Sequence, residues 1–110
     1  MSASGISTHV LDTSLGTPAV GIAVVLESED GRELARGVTD ADGRVGALLP
    51  GGVPTEGTYR LRFDIQGYYV GIAYHAFYPE VVITVSLDAG AKYHLPLLLS
   101  PYGYSTYRGS

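Results

Sequence analysis

Apolar and polar residues alternate along several short stretches of the chain. Between Thr58 and Ile65 every second residue is apolar, and the same period of two recurs between Val81 and Leu87. This alternation is typical of a β-strand with one face in a core and the other in water. Residues 20–27 and 32–40 flank the turn at Asp30-Gly31, which predicts an antiparallel hairpin.

Four further strands are predicted, at residues 6–12, 45–49, 93–100 and 104–108. The 15 glycines and 6 prolines of the chain recur between the segments as turn residues. About eight strands are too many for one flat sheet in a chain of this length. We therefore expect an all-β fold in which two sheets pack face to face.

One stretch breaks the alternation. In residues 66–74, Tyr69, Ile72 and Ala73 follow helical spacing, which predicts one short helix despite two glycines in the stretch. No segment repeats at a fixed period and no linker interrupts the chain. With 110 residues, the expectation is a single domain spanning residues 1–110.

The strand at 93–100 is apolar on both of its faces. Four residues alternate on the face expected to line the core, namely Tyr93, Leu95, Leu97 and Leu99. The opposite face carries Pro96 and Leu98 beside His94, which is too apolar for open water. A second copy of the chain is the simplest cover for this face, so a homo-oligomer is predicted.

Composition excludes several classes of function. The net charge of −4 repels phosphate backbones, so nucleic acid is not an expected partner. Cysteine is absent, which removes thiolate chemistry, disulfides and sulfur ligands for a metal. The N-terminus lacks the basic start of a secretory signal, since the first cationic residue is Arg32, and no uncharged run is long enough to span a membrane. We expect a soluble, cytoplasmic protein.

Candidate chemistry rests on few residues. The three histidines, His9, His75 and His94, do not have the spacing of a zinc motif, and a histidine taken singly is more often structural than catalytic. The run from Asp40 to Gly43 resembles a calcium loop only superficially and is interpreted as a turn, with Arg44 following it. No Gly-x-Ser-x-Gly elbow for a nucleophilic serine occurs. The aromatic, Arg-containing C-terminus is expected to be packed rather than loose.

Five segments resemble one family. They are 8–12 (THVLD), 16–19 (GTPA), 39–44 (TDADGR), 77–81 (FYPEV) and 93–110 (YHLPLLLSPYGYSTYRGS). Together they are similar to the 5-hydroxyisourate hydrolases, which are transthyretin-like proteins. The terminal Tyr-Arg-Gly-Ser distinguishes these hydrolases from true transthyretins.

The resemblance implies a fold, an assembly and a reaction. The fold would be a transthyretin-like β-sandwich of about eight strands with one short helix, assembled as a homotetramer, a dimer of dimers, with its sites in the channel between dimers. The reaction would be hydrolysis of 5-hydroxyisourate, a product of urate oxidation, without a cofactor or metal. Carried over by motif, the catalytic residues are His9, Arg44 and His94, and the substrate-binding residues are Tyr107, Arg108, Gly109 and Ser110.

Two positions depart from the family pattern, and two rival functions stay open. Lys92 stands where many members have a further histidine, and His75 belongs to no recognised motif. A transthyretin-like binding protein that uses the same channel for an apolar aromatic ligand or a protein partner is one rival, although His9, Arg44, His94 and the intact terminal tetrapeptide argue against apolar channel walls. A metal hydrolase built on the histidines is the other.

Overall fold

Two β-sheets, whose strands pair mostly antiparallel, pack into a sandwich, and the fold has one short helix. The computed structural model describes residues 5–72 and 75–110. The elements in chain order are β1 (Gly5–Asp12), β2 (Thr17–Pro18), β3 (Ala23–Ser28), β4 (Glu33–Val38), β5 (Arg44–Leu48), β6 (Gly57–Asp64), α1 (Ile65–Gly71), β7 (Glu80–Leu87), β8 (Lys92–Ser100) and β9 (Gly103–Thr106). The described helix is too short to cross a membrane.

Strand β1 is the centre of the first sheet, called sheet 1 below. On one edge β1 pairs with β8 in parallel, and β9 continues the sheet beyond β8. On its other edge β1 pairs with two strands placed end to end, β2 at Leu11 and Asp12, and β5 from Ile6 to His9. The second sheet, sheet 2, has the order β4-β3-β6-β7 and is antiparallel throughout. Sheet 1 thus joins segments that are far apart in the chain.

The predicted strands and the hairpin are confirmed, with shifts at their ends. The strand predicted from Thr58 ends at Asp64, because Ile65 begins the helix and the Asp64 carboxylate caps it by accepting a hydrogen bond from the Gly67 amide at 3.1 Å. The strand predicted at 104–108 is regular only to Thr106. A two-residue strand, β2, was not predicted.

The helix prediction is confirmed in place but wrong in one detail. Tyr69 faces the core together with Ile65 and Tyr68, whereas Ile72 is 37% exposed at the helix end. Ala73, the third residue of the predicted pattern, lies outside the described residues.

The core lies between the inner faces of the two sheets. Sheet 1 contributes Ile6, Val10 and Leu97, and sheet 2 contributes Leu26 and Phe63, all of them essentially inaccessible to solvent. Fully burying side chains of this kind stabilises a fold by about 1.5–3 kcal/mol each. This packing fixes which side chains of sheet 1 face outward.

A buried carboxylate ties β1 to the helix. Asp12 is fully buried and accepts a hydrogen bond from the Tyr68 hydroxyl at 2.6 Å. Its other oxygen accepts from the Ser14 hydroxyl at 2.6 Å and from the Ser14 and Leu15 amides. Burial alone would raise the pKa of Asp12, but these hydrogen bonds outweigh it and lower the pKa. The carboxylate is therefore a charged, fully bonded anchor for the end of β1.

Candidate active site

His9 and Arg44 are cross-strand neighbours on the outer face of sheet 1. The burial of β1 alternates, so that Thr8 and Val10 are buried while His9 between them is only partly covered. In the β1–β5 pairing, His9 stands opposite Arg44, the exposed first residue of β5. Residues paired in this way have Cβ atoms about 5 Å apart. The two side chains therefore share one small area of the outer face.

The turn before β5 brings Arg44 to that position. The Asp40 carboxylate accepts hydrogen bonds from the Asp42 amide at 2.9 Å and the Arg44 amide at 3.0 Å, and the Gly43 amide donates to the Asp40 carbonyl at 2.9 Å. Gly43 has a φ of 75°, which glycine adopts without strain. The interpretation of residues 40–43 as a turn is confirmed.

His94 joins the same face from the other side of β1. In the parallel β1–β8 pairing, His94 stands opposite Ser7, and the Ser7 hydroxyl lies 2.7 Å from the His94 Nδ1 atom. The C-terminal segment closes over the opposite edge of the ring: the Gly109 amide donates to the His94 carbonyl at 2.8 Å. We call His9, Arg44 and His94 the polar cluster.

The electrostatics of the polar cluster favour a neutral His94. Burial lowers the pKa of His94, and the positive charges of Arg44, His9 and Lys92 lower it further. Among the described residues the salt bridges involve Arg36 and Arg62, so the Arg44 guanidinium has no carboxylate partner there. The polar cluster thus combines His94, which is uncharged at neutral pH and can act as a base, with the Arg44 guanidinium, which is available to a ligand.

The four C-terminal residues divide between two environments. The guanidinium carbon of Arg108 lies 5.1 Å from the centre of the Tyr93 ring, a cation–π contact on the inward-facing side of β8. Gly109 packs beside His94 and is partly buried, whereas Tyr107, Arg108 and Ser110 are exposed. The expectation of a packed C-terminus therefore holds for Gly109 only, and Arg108 stays exposed apart from its contact with the Tyr93 ring.

A cavity of about 320 Å³ opens beside the polar cluster, at the edge of the sandwich between β7 and β8. His94 and Arg108 both lie on its wall, next to apolar residues of the core such as Val85 and Leu95. The cavity links the C-terminal arginine to His94. His9 and Arg44 lie outside its lining and face the open surface.

Ser7 was missed by sequence reasoning. Ser7 lies two residues before His9, so the alternation of β1 already places it on the same face as His9. Its partner His94, however, is 87 positions further along the chain. The contact depends on the parallel pairing of β1 with β8, which local patterning does not reveal. His75 is exposed on the segment before β7 and apart from the site strands.

Metal ligation has no support within residues 5–72 and 75–110. No group of three or more histidine, cysteine, aspartate or glutamate side chains there is arranged to hold a metal ion. The expectation that the reaction needs no cofactor stays a prediction, and removal of metal ions tests it.

The fold and the polar cluster define a transthyretin-like β-sandwich with two histidines and an arginine close together on the outer face of one sheet. The chain belongs to the HIUase/transthyretin family, whose sequence model matches residues 6–109. A relative from Rhizobium meliloti, "5-hydroxyisourate hydrolase 2", is 48% identical, and the match covers all of both chains. The family resemblance of the sequence is thereby confirmed.

Solved structures agree with this assignment. The 5-hydroxyisourate hydrolase of Klebsiella pneumoniae superposes with a TM-score of 0.85 at 38% identity, covering 99% of this chain and 100% of the other. Sea bream transthyretin in complex with thyroxine superposes with a TM-score of 0.82 at 29% identity, covering 94% and 93%. The all-β sandwich is thus common to a hydrolase and to a transthyretin in complex with thyroxine, and the residues of the site must separate the two.

Proposed function

We propose that this protein is an enzyme that hydrolyses 5-hydroxyisourate to 2-oxo-4-hydroxy-4-carboxy-5-ureidoimidazoline, a step in urate breakdown, and that residues 1–110 act as one hydrolase domain. The observation that carries the proposal is the polar cluster: two histidines meet, on one face of sheet 1, an arginine that has no carboxylate partner within residues 5–72 and 75–110. Near full-length relatives named as hydrolases of this compound support it.

The reaction is the addition of water to a cyclic amide-like bond. The water oxygen forms a bond to carbon C6, the N1–C6 bond breaks, one water proton passes to N1, and the new carboxylic acid releases the other. An imidazole is suited to accept the first proton at neutral pH. His9 or His94 is the base, and the other histidine orients the water or protonates the departing nitrogen.

Arg44 stabilises the negative charge that forms on the attacked carbonyl oxygen. Its guanidinium is exposed and, among the described residues, bound to no carboxylate, so its charge is not already neutralised. A preorganised donor of this kind contributes about 3 kcal/mol to lowering a barrier, or 10² to 10³ in rate. The rigid fork of donors also suits a flat, polar ring.

The last four residues, Tyr107, Arg108, Gly109 and Ser110, hold the substrate. Tyr107 and Ser110 are exposed and offer hydroxyl groups, and Gly109 lies against His94. Deletion of residues 108–110 tests this role. A loss of rate in a protein of unchanged oligomeric state supports it, whereas an unchanged rate shows that the segment only packs.

The assembly we propose is a homotetramer, a dimer of dimers, with the polar cluster in the channel between dimers. Leu11 and Leu98 are adjacent in the β1–β8 pairing and only half-buried on the same outer face. A second copy would cover them. Sedimentation equilibrium measures the mass directly, and a monomer or a dimer would contradict the proposed assembly. A cytoplasmic location also remains a prediction.

The activity test follows the ultraviolet decay of 5-hydroxyisourate freshly made by urate oxidase, with and without this protein and with EDTA throughout. Accelerated decay in EDTA supports a hydrolase that needs no accessible metal. Acceleration that EDTA abolishes would favour a metal hydrolase. The absence of acceleration by a folded protein would favour the binding function suggested by the similarity to transthyretin with thyroxine.

A further inference from the structure

The His94 ring is held from both sides by parts of the chain that are distant in sequence. On one side the Ser7 hydroxyl oxygen lies 2.7 Å from Nδ1 and also 3.4 Å from the Tyr93 carbonyl oxygen. On the other side Gly109 approaches so closely that a Cβ atom there would lie 2.6 Å from the His94 Cδ2 atom. The ring therefore has one orientation, with Nδ1 toward Ser7.

A neutral imidazole carries one proton, so the partner of one ring nitrogen decides what the other nitrogen does. Burial and the neighbouring cations hold the pKa of His94 below its ordinary value, which favours this neutral form. The remaining question is whether the proton lies on Nδ1 or on Nε2.

The two contacts of Ser7 answer that question. A serine hydroxyl has a single proton to donate. If it donates to the Tyr93 carbonyl, the 2.7 Å contact to His94 must be carried by a proton on Nδ1, and both contacts become hydrogen bonds. If it donates to Nδ1 instead, the contact to the Tyr93 carbonyl has no proton. The first arrangement, in which Nδ1–H donates to the Ser7 hydroxyl and that hydroxyl donates to the Tyr93 carbonyl, is therefore favoured because it gives both contacts a proton.

We propose that Ser7 is a positioning residue that keeps the proton of neutral His94 on Nδ1 and so leaves the lone pair of Nε2 free to accept a proton. The inference rests on the proposed hydrolase function and assigns His94 as the base. Nε2 takes a proton from water as the water oxygen bonds to C6. The same proton then passes from Nε2 to N1 as the N1–C6 bond breaks, which returns His94 to its neutral state.

A serine suits this position better than a carboxylate. The charged and titratable groups around His94 are His9 on β1, Arg44 on β5, Lys92 on β8 and, on the wall of the cavity that His94 also lines, Arg108, Tyr93 and Asp88. An aspartate at position 7 would add an opposite charge and raise the pKa of His94. A neutral hydroxyl orients the ring without changing its charge balance, so the imidazole stays unprotonated at neutral pH.

The test reads the tautomer and the kinetics separately. The ¹⁵N resonances of the His94 ring, assigned by their loss in His94→Gln, should show the proton on Nδ1 in the wild type and a shift of the proton toward Nε2 in Ser7→Ala. In the 5-hydroxyisourate assay, Ser7→Ala should lower kcat about 10- to 100-fold, because an acid–base group in the wrong tautomer loses part of its contribution. KM should change little.

Two variants serve as controls. Ser7→Thr retains the hydroxyl and should restore the wild-type tautomer and most of kcat. Thr84→Ala removes a hydroxyl from an exposed position of β7 in sheet 2 and should change neither. A wild-type ring with its proton on Nε2, or a Ser7→Ala protein with wild-type kcat, would overturn the proposal. A wild type without hydrolase activity would overturn the proposed function instead, and the resonances would still report whether Ser7 sets the tautomer.

Discussion

Replacement of Gly43 by alanine should both destabilise the fold and disturb the site. Gly43 lies immediately before Arg44, and its φ of 75° is in the left-handed region. A Cβ atom there would lie 2.4 Å from the Val10 carbonyl oxygen and 3.2 Å from the Ala19 amide nitrogen. The backbone has little room to move away, because the Val10 amide donates to the Gly43 carbonyl at 2.8 Å and the Ala19 amide donates to the Val10 carbonyl at 2.9 Å.

The expected magnitude has two parts. A residue other than glycine in the left-handed region costs about 1–2 kcal/mol, and overpacking against a fixed neighbour adds about 1–3 kcal/mol. Gly43→Ala should therefore lower the free energy of unfolding by about 2–5 kcal/mol. Gly16 is a matched control, because its φ is 73° but nothing lies within 4 Å of its would-be Cβ. Gly16→Ala should therefore lower the free energy of unfolding by only about 1–2 kcal/mol.

Urea unfolding at one fixed protein concentration, followed by far-ultraviolet circular dichroism, measures the difference. The concentration is fixed because an oligomer unfolds in a concentration-dependent way. Hydrolysis should also fall in Gly43→Ala, since the clash displaces Arg44 relative to His9, and should persist in Gly16→Ala. Equal losses of stability in the two variants would refute the argument from close contact.

Three further results are expected. Arg44→Ala should lower kcat/KM by at least about 10² in a folded protein, while Arg36→Ala, which removes an exposed ion pair, should leave it unchanged. In the pH profile of kcat/KM, the midpoint of the acid limb should lie at a pH below 6.5, the ordinary histidine pKa. Lys92→Ala should move that midpoint to higher pH, because it removes a positive neighbour of His94. A midpoint above pH 6.5 in the wild type would contradict this. Asp12→Asn should lower the free energy of unfolding by about 1.5–3 kcal/mol at neutral pH. In urea titrations that difference should shrink as the pH falls below the ordinary aspartate pKa of 3.8, because the carboxyl of the unfolded chain then takes up a proton while the folded carboxylate, whose pKa is lower, stays charged. A pH-independent difference would argue against the charged anchor.

The strands were predictable because their signal is local. β6 alternates apolar and polar residues, and the structure buries Tyr59, Leu61 and Phe63 as that pattern requires. The helix that follows was less predictable in detail. Ile72 has the right spacing for the buried face, but the helix ends at Gly71, so its side chain is left at the surface.

The site was only partly predictable because it depends on pairing between distant strands. The family motifs point to His9, Arg44 and His94, yet no local pattern shows that β1 pairs in parallel with β8. That pairing creates the contact between Ser7 and His94. Similarly, composition predicted a packed C-terminus, but only the structure shows that Arg108 contacts the Tyr93 ring and that Tyr107 and Arg108 are both exposed.

The central claim is that hydrolysis takes place at the polar cluster on the outer face of sheet 1, and the three histidines of the chain allow a direct test. The measurement is the initial rate of 5-hydroxyisourate decay catalysed by His9→Asn, His94→Asn and His75→Asn at equal concentrations of folded protein. Loss of a group that transfers protons costs about 10² to 10⁴ in rate. We predict such losses for His9→Asn and His94→Asn and a wild-type rate for His75→Asn. Wild-type rates in both cluster variants, or an equal loss in His75→Asn, would contradict the account.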